Sequence, residues 1–90
     1  MKRPVYLRLH SQDNVVVLLR DVKAGELIEI EGQHIVVRAN IPLGHKIAAR
    51  PISAGEQIMK YGVSIGVATR AVTVGEHVHV HNMKSNYVFG

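Results

Sequence analysis

The sequence predicts a mainly β domain of short strands and tight turns with little helix, and three observations carry that prediction. A pattern of Ile or Val, two residues, Gly, two residues, then Ile or Val occurs four times along the chain. Between these repeats the runs are short and rich in β-branched residues, which favour strands. No stretch sustains the 3.6-residue apolar periodicity of an amphipathic helix.

The four repeats are Val22 to Ile28 around Gly25, Ile41 to Ile47 around Gly44, Ile52 to Ile58 around Gly55, and Val72 to Val78 around Gly75. Each reads as a tight turn. The first apolar residue anchors the incoming arm, Gly tolerates the positive φ that turns commonly need, and the second apolar residue anchors the outgoing strand. The glycine spacings run 19, 11 and 20, so the second pair of turns follows the first after about thirty residues. This is too short for a solenoid and reads as two similar halves of one small domain.

The other elements follow in order. Pro4 to His10 alternates, with Val5, Leu7 and Leu9 on one side. Asp13-Asn14 before Val15 to Arg20 is compatible with a cap on one helical turn, while three consecutive valines favour a strand. His34 to Arg38 and Ser64 to Thr69 carry Ile and Val but are too short for helices.

All 90 residues form a single domain, and a chain of this length has surface to bury for one compact core and not for a second. Without cysteine there are neither disulfides nor thiolate metal ligands. The longest uninterrupted apolar run, Val15 to Leu19, is far short of the ~20 residues that span a bilayer, and nothing resembles a signal peptide. These features lead to the expectation of a soluble, cytoplasmic protein without a membrane partner. The formal charge of +4 comes from singly spread Lys and Arg. The four aromatics do not interleave with them as a base-stacking platform requires, so nucleic acid is not an expected partner. The modest positive excess suits small anionic substrates such as carboxylates.

Three places can carry chemistry. The first is Glu76-His77-Val78-His79-Val80-His81-Asn82. As a strand it would set His77, His79 and His81 on one face and Val78 and Val80 towards the core. Imidazoles at i and i+2 can both reach one zinc, iron or manganese ion, and a polar strand face is the plain alternative. The second is His45-Lys46. Three repeats place Glu after the Gly (Glu26, Glu56, Glu76), whereas the remaining one places His45 there. An imidazole and an ammonium at a turn tip can transfer a proton or hold a carboxylate, or the tip simply tolerates any polar residue. The third is Lys60-Tyr61-Gly62 followed by Ile65-Gly66. It is either turn geometry or a backbone bent closely around a ligand, and it does not match a phosphate loop. His10 and His34 are isolated and read as surface or strand residues.

Taken in order, Asp13-Asn14-Val15, Ile41 to Ala48, Gly55-Glu56, Lys60-Tyr61-Gly62, Ile65 to Ala68 and Gly75 to Asn82 resemble the amino-terminal SAF domain of altronate and galactarate dehydratases. The similarity covers roughly residues 5 to 85. It implies a β-clip fold, found either fused ahead of a large catalytic region or as a separate small subunit. Similar small subunits belong to sulfolactate sulfo-lyases. The implied activity is that of a hydroxy-acid lyase, inactive without its large partner. The proton α to a carboxylate is removed, a divalent metal (iron or manganese, shared with the large subunit) stabilises the enediolate, and the β-substituent leaves. That substituent is hydroxide for a sugar acid, giving a 2-keto-3-deoxy acid, and sulfite for sulfolactate. The positions carried over are His45 and Lys46 as catalytic residues, Lys60, Tyr61 and Asn82 as substrate-binding residues, and His77, His79 and His81 as metal ligands. A non-catalytic carbohydrate-binding or assembly module is the alternative from another class. An exposed edge strand of such a domain can pair with the large subunit or with a second copy in a homo-oligomer.

Overall fold

In the computed structural model, which describes residues 4–86, the fourfold repeat is one turn used four times. Gly25, Gly44, Gly55 and Gly75 have φ between 83° and 89°, a left-handed conformation that glycine adopts without a Cβ clash. The N–H of the next residue donates to the carbonyl three residues back: Glu26 to Lys23, His45 to Pro42, Glu56 to Ser53 and Glu76 to Thr73. A positive φ at the third position of such a turn is the type II arrangement. Each Gly and its successor then face one residue of a neighbouring segment, forming a β-bulge. Gly25 donates to the Val37 carbonyl, and Val37 returns a bond to Glu26. The same exchange joins Gly44-His45 to Leu18, Gly55-Glu56 to Ala68 and Gly75-Glu76 to Ala48.

The strands are β1 (Tyr6–Leu7), β2 (Val15–Leu18), β3 (Leu27–Ile30), β4 (Gln33–Val36), β5 (Lys46–Ala48), β6 (Gln57–Lys60), β7 (Val63–Ala68), β8 (His77–Val78) and β9 (Met83–Ser85). They form a four-stranded sheet in the order β1-β2-β5-β8, a two-stranded sheet β3-β4, and a three-stranded sheet β6-β7-β9. All pairings are antiparallel. The fold is mainly β, as the sequence predicts, and no helix of the described residues is long and apolar enough to cross a membrane.

The two halves repeat. Isolated bridges join Val22 to Ile41 and Ile52 to Val72. The hairpins β3–β4 and β6–β7 both turn through two positive-φ residues, Glu31-Gly32 in the first and Tyr61-Gly62 in the second, as two-residue hairpin loops prefer. The halves differ at their hairpin edges: β9 adds a third strand beside β7, and among the described residues no strand lies on the corresponding edge of β4.

Two expectations are corrected and one open alternative is decided. The chain has two buried clusters rather than one. Strands β2 and β5 lie between them, and alternation sends Val16, Leu18 and Ile47 to one and Val15 and Ala48 to the other. Each cluster is completed by a hairpin from its own half, so a sheet with apolar residues on both faces supports two small cores. Val15–Leu18 is a strand, and Asp13 and Asn14 cap no helix. The buried Asp13 carboxylate accepts the N–H groups of Tyr61 (3.0 Å) and Gly62 (2.8 Å), the tip of the β6–β7 hairpin. The buried Asn14 amide accepts from Met59 N–H and donates to the Gln57 carbonyl, each at 2.8 Å. Finally, the Pro4–His10 alternation does not persist. Val5 and Tyr6 pack on the core, whereas Leu7 is exposed. The Arg8 guanidinium donates to the carbonyls of His10, Ser11 and Asp13 and so curls the chain after β1.

Candidate functional site

Strand β8 ends at Val78, so the alternation predicted for residues 77–81 stops after two residues. The cause is Asn82. Fully buried, its side-chain oxygen accepts the His79 N–H (2.9 Å) and its amide donates to the His77 carbonyl (2.8 Å). The segment folds into a turn closed by the Asn82 N–H donating to the His79 carbonyl. Val78 is a core residue as expected, but Val80 is 79% exposed at the turn. Asn82, expected to bind substrate, is buried with its amide committed to this turn.

The turn changes which histidines meet. The trio whose ligand atoms lie within 4.8 Å of one another is His45, His77 and His79. His81 keeps ring contact with His77, at 5.6 Å between centroids, but is outside that trio. His45 Nδ1 is 2.9 Å from His77 Nε2, so one ring donates and the other accepts. The His77 and His79 rings stack at 5.4 Å, 9° from parallel. Pairing of Ile47 with His77 across β5 and β8, together with the Gly44-His45 bulge, brings these residues together.

The sequence departure at His45 has a structural reason. In the other three turns the Glu after the Gly accepts the backbone N–H three residues back, at Lys23, Ser53 and Thr73. Here that residue is Pro42, which has no N–H. No acceptor is needed, and the position is free to carry an imidazole.

On one side of the trio is a small cleft of about 160 Å³, lined by Gly44, His45, Lys46, Lys60 and His79. Lys46 is half-buried, and desolvation, then the charge of Lys60, lower its pKa from the ordinary lysine value. Tyr61 is exposed at the hairpin tip and does not line this cleft. Its ring lies 5.8 Å from the Lys60 ammonium. Lys60 itself is positioned by Asp13 and Asn14, which hold the hairpin from across the domain. On the other side a wider cleft of about 710 Å³ has His77 and His81 in its wall. His10 lies against Gly62, and the exposed His34 stands 4.0 Å from Glu29.

The donor set fits a borderline divalent ion. Burial, followed by the neighbouring imidazoles and Lys46, lowers the His77 pKa to about 4, so its ring is neutral and keeps a lone pair at neutral pH. Ligand nitrogens around a tetrahedral ion with 2.0–2.1 Å bonds stand about 3.3 Å apart, and the ligand atoms of the trio lie within 4.8 Å of one another. No carboxylate joins the trio among the described residues.

Residues 4–86 match the altronate/galactarate dehydratase SAF domain family. The chain is 44% identical over 81 residues to an altronate dehydratase of Bacillus subtilis, covering 90% of this chain and 16% of that protein. It is 36% identical over 75 residues to a galactarate dehydratase (L-threo-forming) of Escherichia coli, covering 81% of this chain and 14% of that one. Against a (2R)-sulfolactate sulfo-lyase subunit alpha of Chromohalobacter salexigens it is 35% identical over 85 residues, and the match covers 86% of this chain and 90% of the relative. The chain therefore spans about a sixth of the dehydratases it matches and nearly the whole of the sulfo-lyase subunit. On this similarity, which runs through nearly every described residue, the chain belongs to the altronate/galactarate dehydratase SAF domain family.

Proposed function

We propose that this chain is the small domain or subunit of a metal-dependent hydroxy-acid lyase of the cytoplasm, a sugar-acid dehydratase of the altronate/galactarate type. A large catalytic region or subunit completes it. The observation that carries the proposal is the convergence of His45, His77 and His79 beside a cleft holding Lys46 and Lys60. The three imidazoles would hold a divalent ion, iron or manganese, with the remaining ligands coming from the large partner. Such an ion supplies a Lewis acid for the substrate's oxygens.

The chain's own residues then divide the work. The Lys60 ammonium holds the substrate carboxylate. Lys46 Nζ, half-buried beside Lys60 and with its pKa lowered by burial, is the group placed to accept the α-proton. With hydroxide lost from the β-carbon, the enol product tautomerises to the 2-keto-3-deoxy acid. A cleft of about 160 Å³ takes the carboxylate end of a sugar acid and leaves the remainder to the large region.

The test is turnover by the assembled enzyme. Lys46→Arg keeps the positive charge but removes a group able to accept a proton, so kcat should fall while KM changes little. Unchanged kcat would remove Lys46 from this role. A sulfolactate sulfo-lyase is the second reading, favoured by the match to 90% of that relative's subunit. Altronate, galactarate and sulfolactate offered to the same purified complex separate the two readings, with sulfite release marking the second.

A further inference from the structure

The two halves of the domain fill their hairpin edges differently. In the second half, β9 lies along β7, with Gly66, Val67 and Ala68 opposite Ser85, Lys84 and Met83. Just beyond, the Thr69 N–H donates outward to the Asn82 carbonyl. In the first half, β4 is the counterpart of β7 and, among the described residues, pairs only with β3. Val37 turns its N–H and carbonyl towards Glu26 and Gly25. Backbone groups alternate along a strand, so those of His34, Val36 and Arg38 point the other way. Arg38, the counterpart of Thr69, has no backbone partner among the described residues.

This open edge forms one wall of the cleft of about 710 Å³, opposite turn residues Thr73 to Glu76, His77 and His81. The cleft is apolar at Ile35, Val36 and Val74 and carries the Arg38 guanidinium with the imidazoles of His34, His77 and His81. Its one acidic lining residue, Glu76, already accepts the Thr73 N–H and the Asn82 amide. The Arg38 guanidinium has no ion-pair partner among the described residues.

We propose that the open edge of β4 receives one antiparallel strand from the large catalytic region, with an acidic side chain of that strand facing Arg38. This rests on the proposed function and adds to it where the partner docks. β9 on β7 is the template within this same chain. Charge selects the occupant: a second copy docked about a twofold at Val36 would set His34 against Arg38 and offer that guanidinium no carboxylate, whereas an acidic side chain of the large region pairs with it. Such a strand also covers the wide cleft and closes the imidazole trio from solvent on the His77 side. Edge pairing supplies backbone hydrogen bonds, and alternate side chains supply specificity.

The experiment uses the assembled enzyme with the chain ¹⁵N-labelled. Amide exchange at His34, Val36 and Arg38 should be at least tenfold slower than at Leu27 and Glu29, whose N–H groups lie on the outer edge of β3. Val36→Pro removes an outward N–H that an edge strand can lose without harm to its hairpin, and Arg38→Glu reverses the charge. Each should weaken assembly at least tenfold, and Arg38→Glu serves alone if the proline variant misfolds. Assembly at wild-type affinity with fast β4 exchange would overturn the docking edge and leave the proposed function standing. Protection of β4 in a homodimer of the chain alone would overturn the choice of partner. If altronate dehydratase and sulfo-lyase large regions both fail to assemble with the chain, the proposed function falls and the docking edge with it.

Discussion

His45 Nδ1 and His77 Nε2 lie 2.9 Å apart, although 32 residues separate them in the chain. The contact is made by the pairing of β5 with β8 and by the bulge that follows Gly44. It joins corresponding turns of the two halves, so the internal repeat itself builds the site. The trio is expected to bind Mn²⁺, Fe²⁺ or Zn²⁺ in the assembled enzyme. His45→Ala, His77→Ala and His79→Ala should each lower metal content by about tenfold or more at limiting metal, whereas His81→Ala should leave it nearly unchanged. Elemental analysis after gel filtration reads this directly.

The pairing of Pro42 with His45 predicts a contrast in stability. Glu56→Ala removes the acceptor of the Ser53 N–H and should cost about 1 kcal/mol. His45→Ala leaves no N–H unpaired at Pro42 and should change stability much less. Thermal melts of the two variants make the comparison.

Asp13 is a buried carboxylate whose two oxygens serve Tyr61 and Gly62. Asp13→Ala leaves both N–H groups without their acceptor and should cost roughly 2–4 kcal/mol. Asp13→Asn keeps one acceptor and should cost less. Urea denaturation midpoints give the order. Because this hairpin carries Lys60, the alanine variant should also raise KM in the assembled enzyme.

The folded-state pKa of His77, about 4, lies below its ordinary value of 6.5. Between these values the unfolded chain binds the extra proton and the folded chain does not. Stability of the metal-free protein should therefore fall as pH drops from 6.5 towards 4. His77→Gln should flatten that slope. An equally steep slope in the variant would place the titration elsewhere.

Much of the fold was legible because the repeated turn has a local cause. Gly25, Gly44, Gly55 and Gly75 each need a positive φ, and the apolar residues three before and three after mark the anchors. The two cores were not legible. Which face of Val15–Leu18 meets which hairpin depends on pairings distant in sequence. The site was legible in part. The break from Glu to His45 singled out a residue that the fold brings beside His77 and His79, and Pro42 in the same turn was the available clue to its cause. His77, His79 and His81 do not share one strand face, as period-two reasoning expects, because the Asn82 turn ends β8 at Val78. Asp13 and Asn14 escaped because their partners are 43 to 49 residues away.

The central claim is that this small domain contributes an imidazole trio to the active site of a larger lyase. The most direct test is turnover of a sugar acid by the assembled enzyme with His45→Ala, His79→Ala and His81→Ala in parallel. The expected result is loss of kcat/KM by about a hundredfold or more for the first two, with His81→Ala within a few-fold of wild type. Full turnover with alanine at both His45 and His79, in a complex that still assembles, would contradict it.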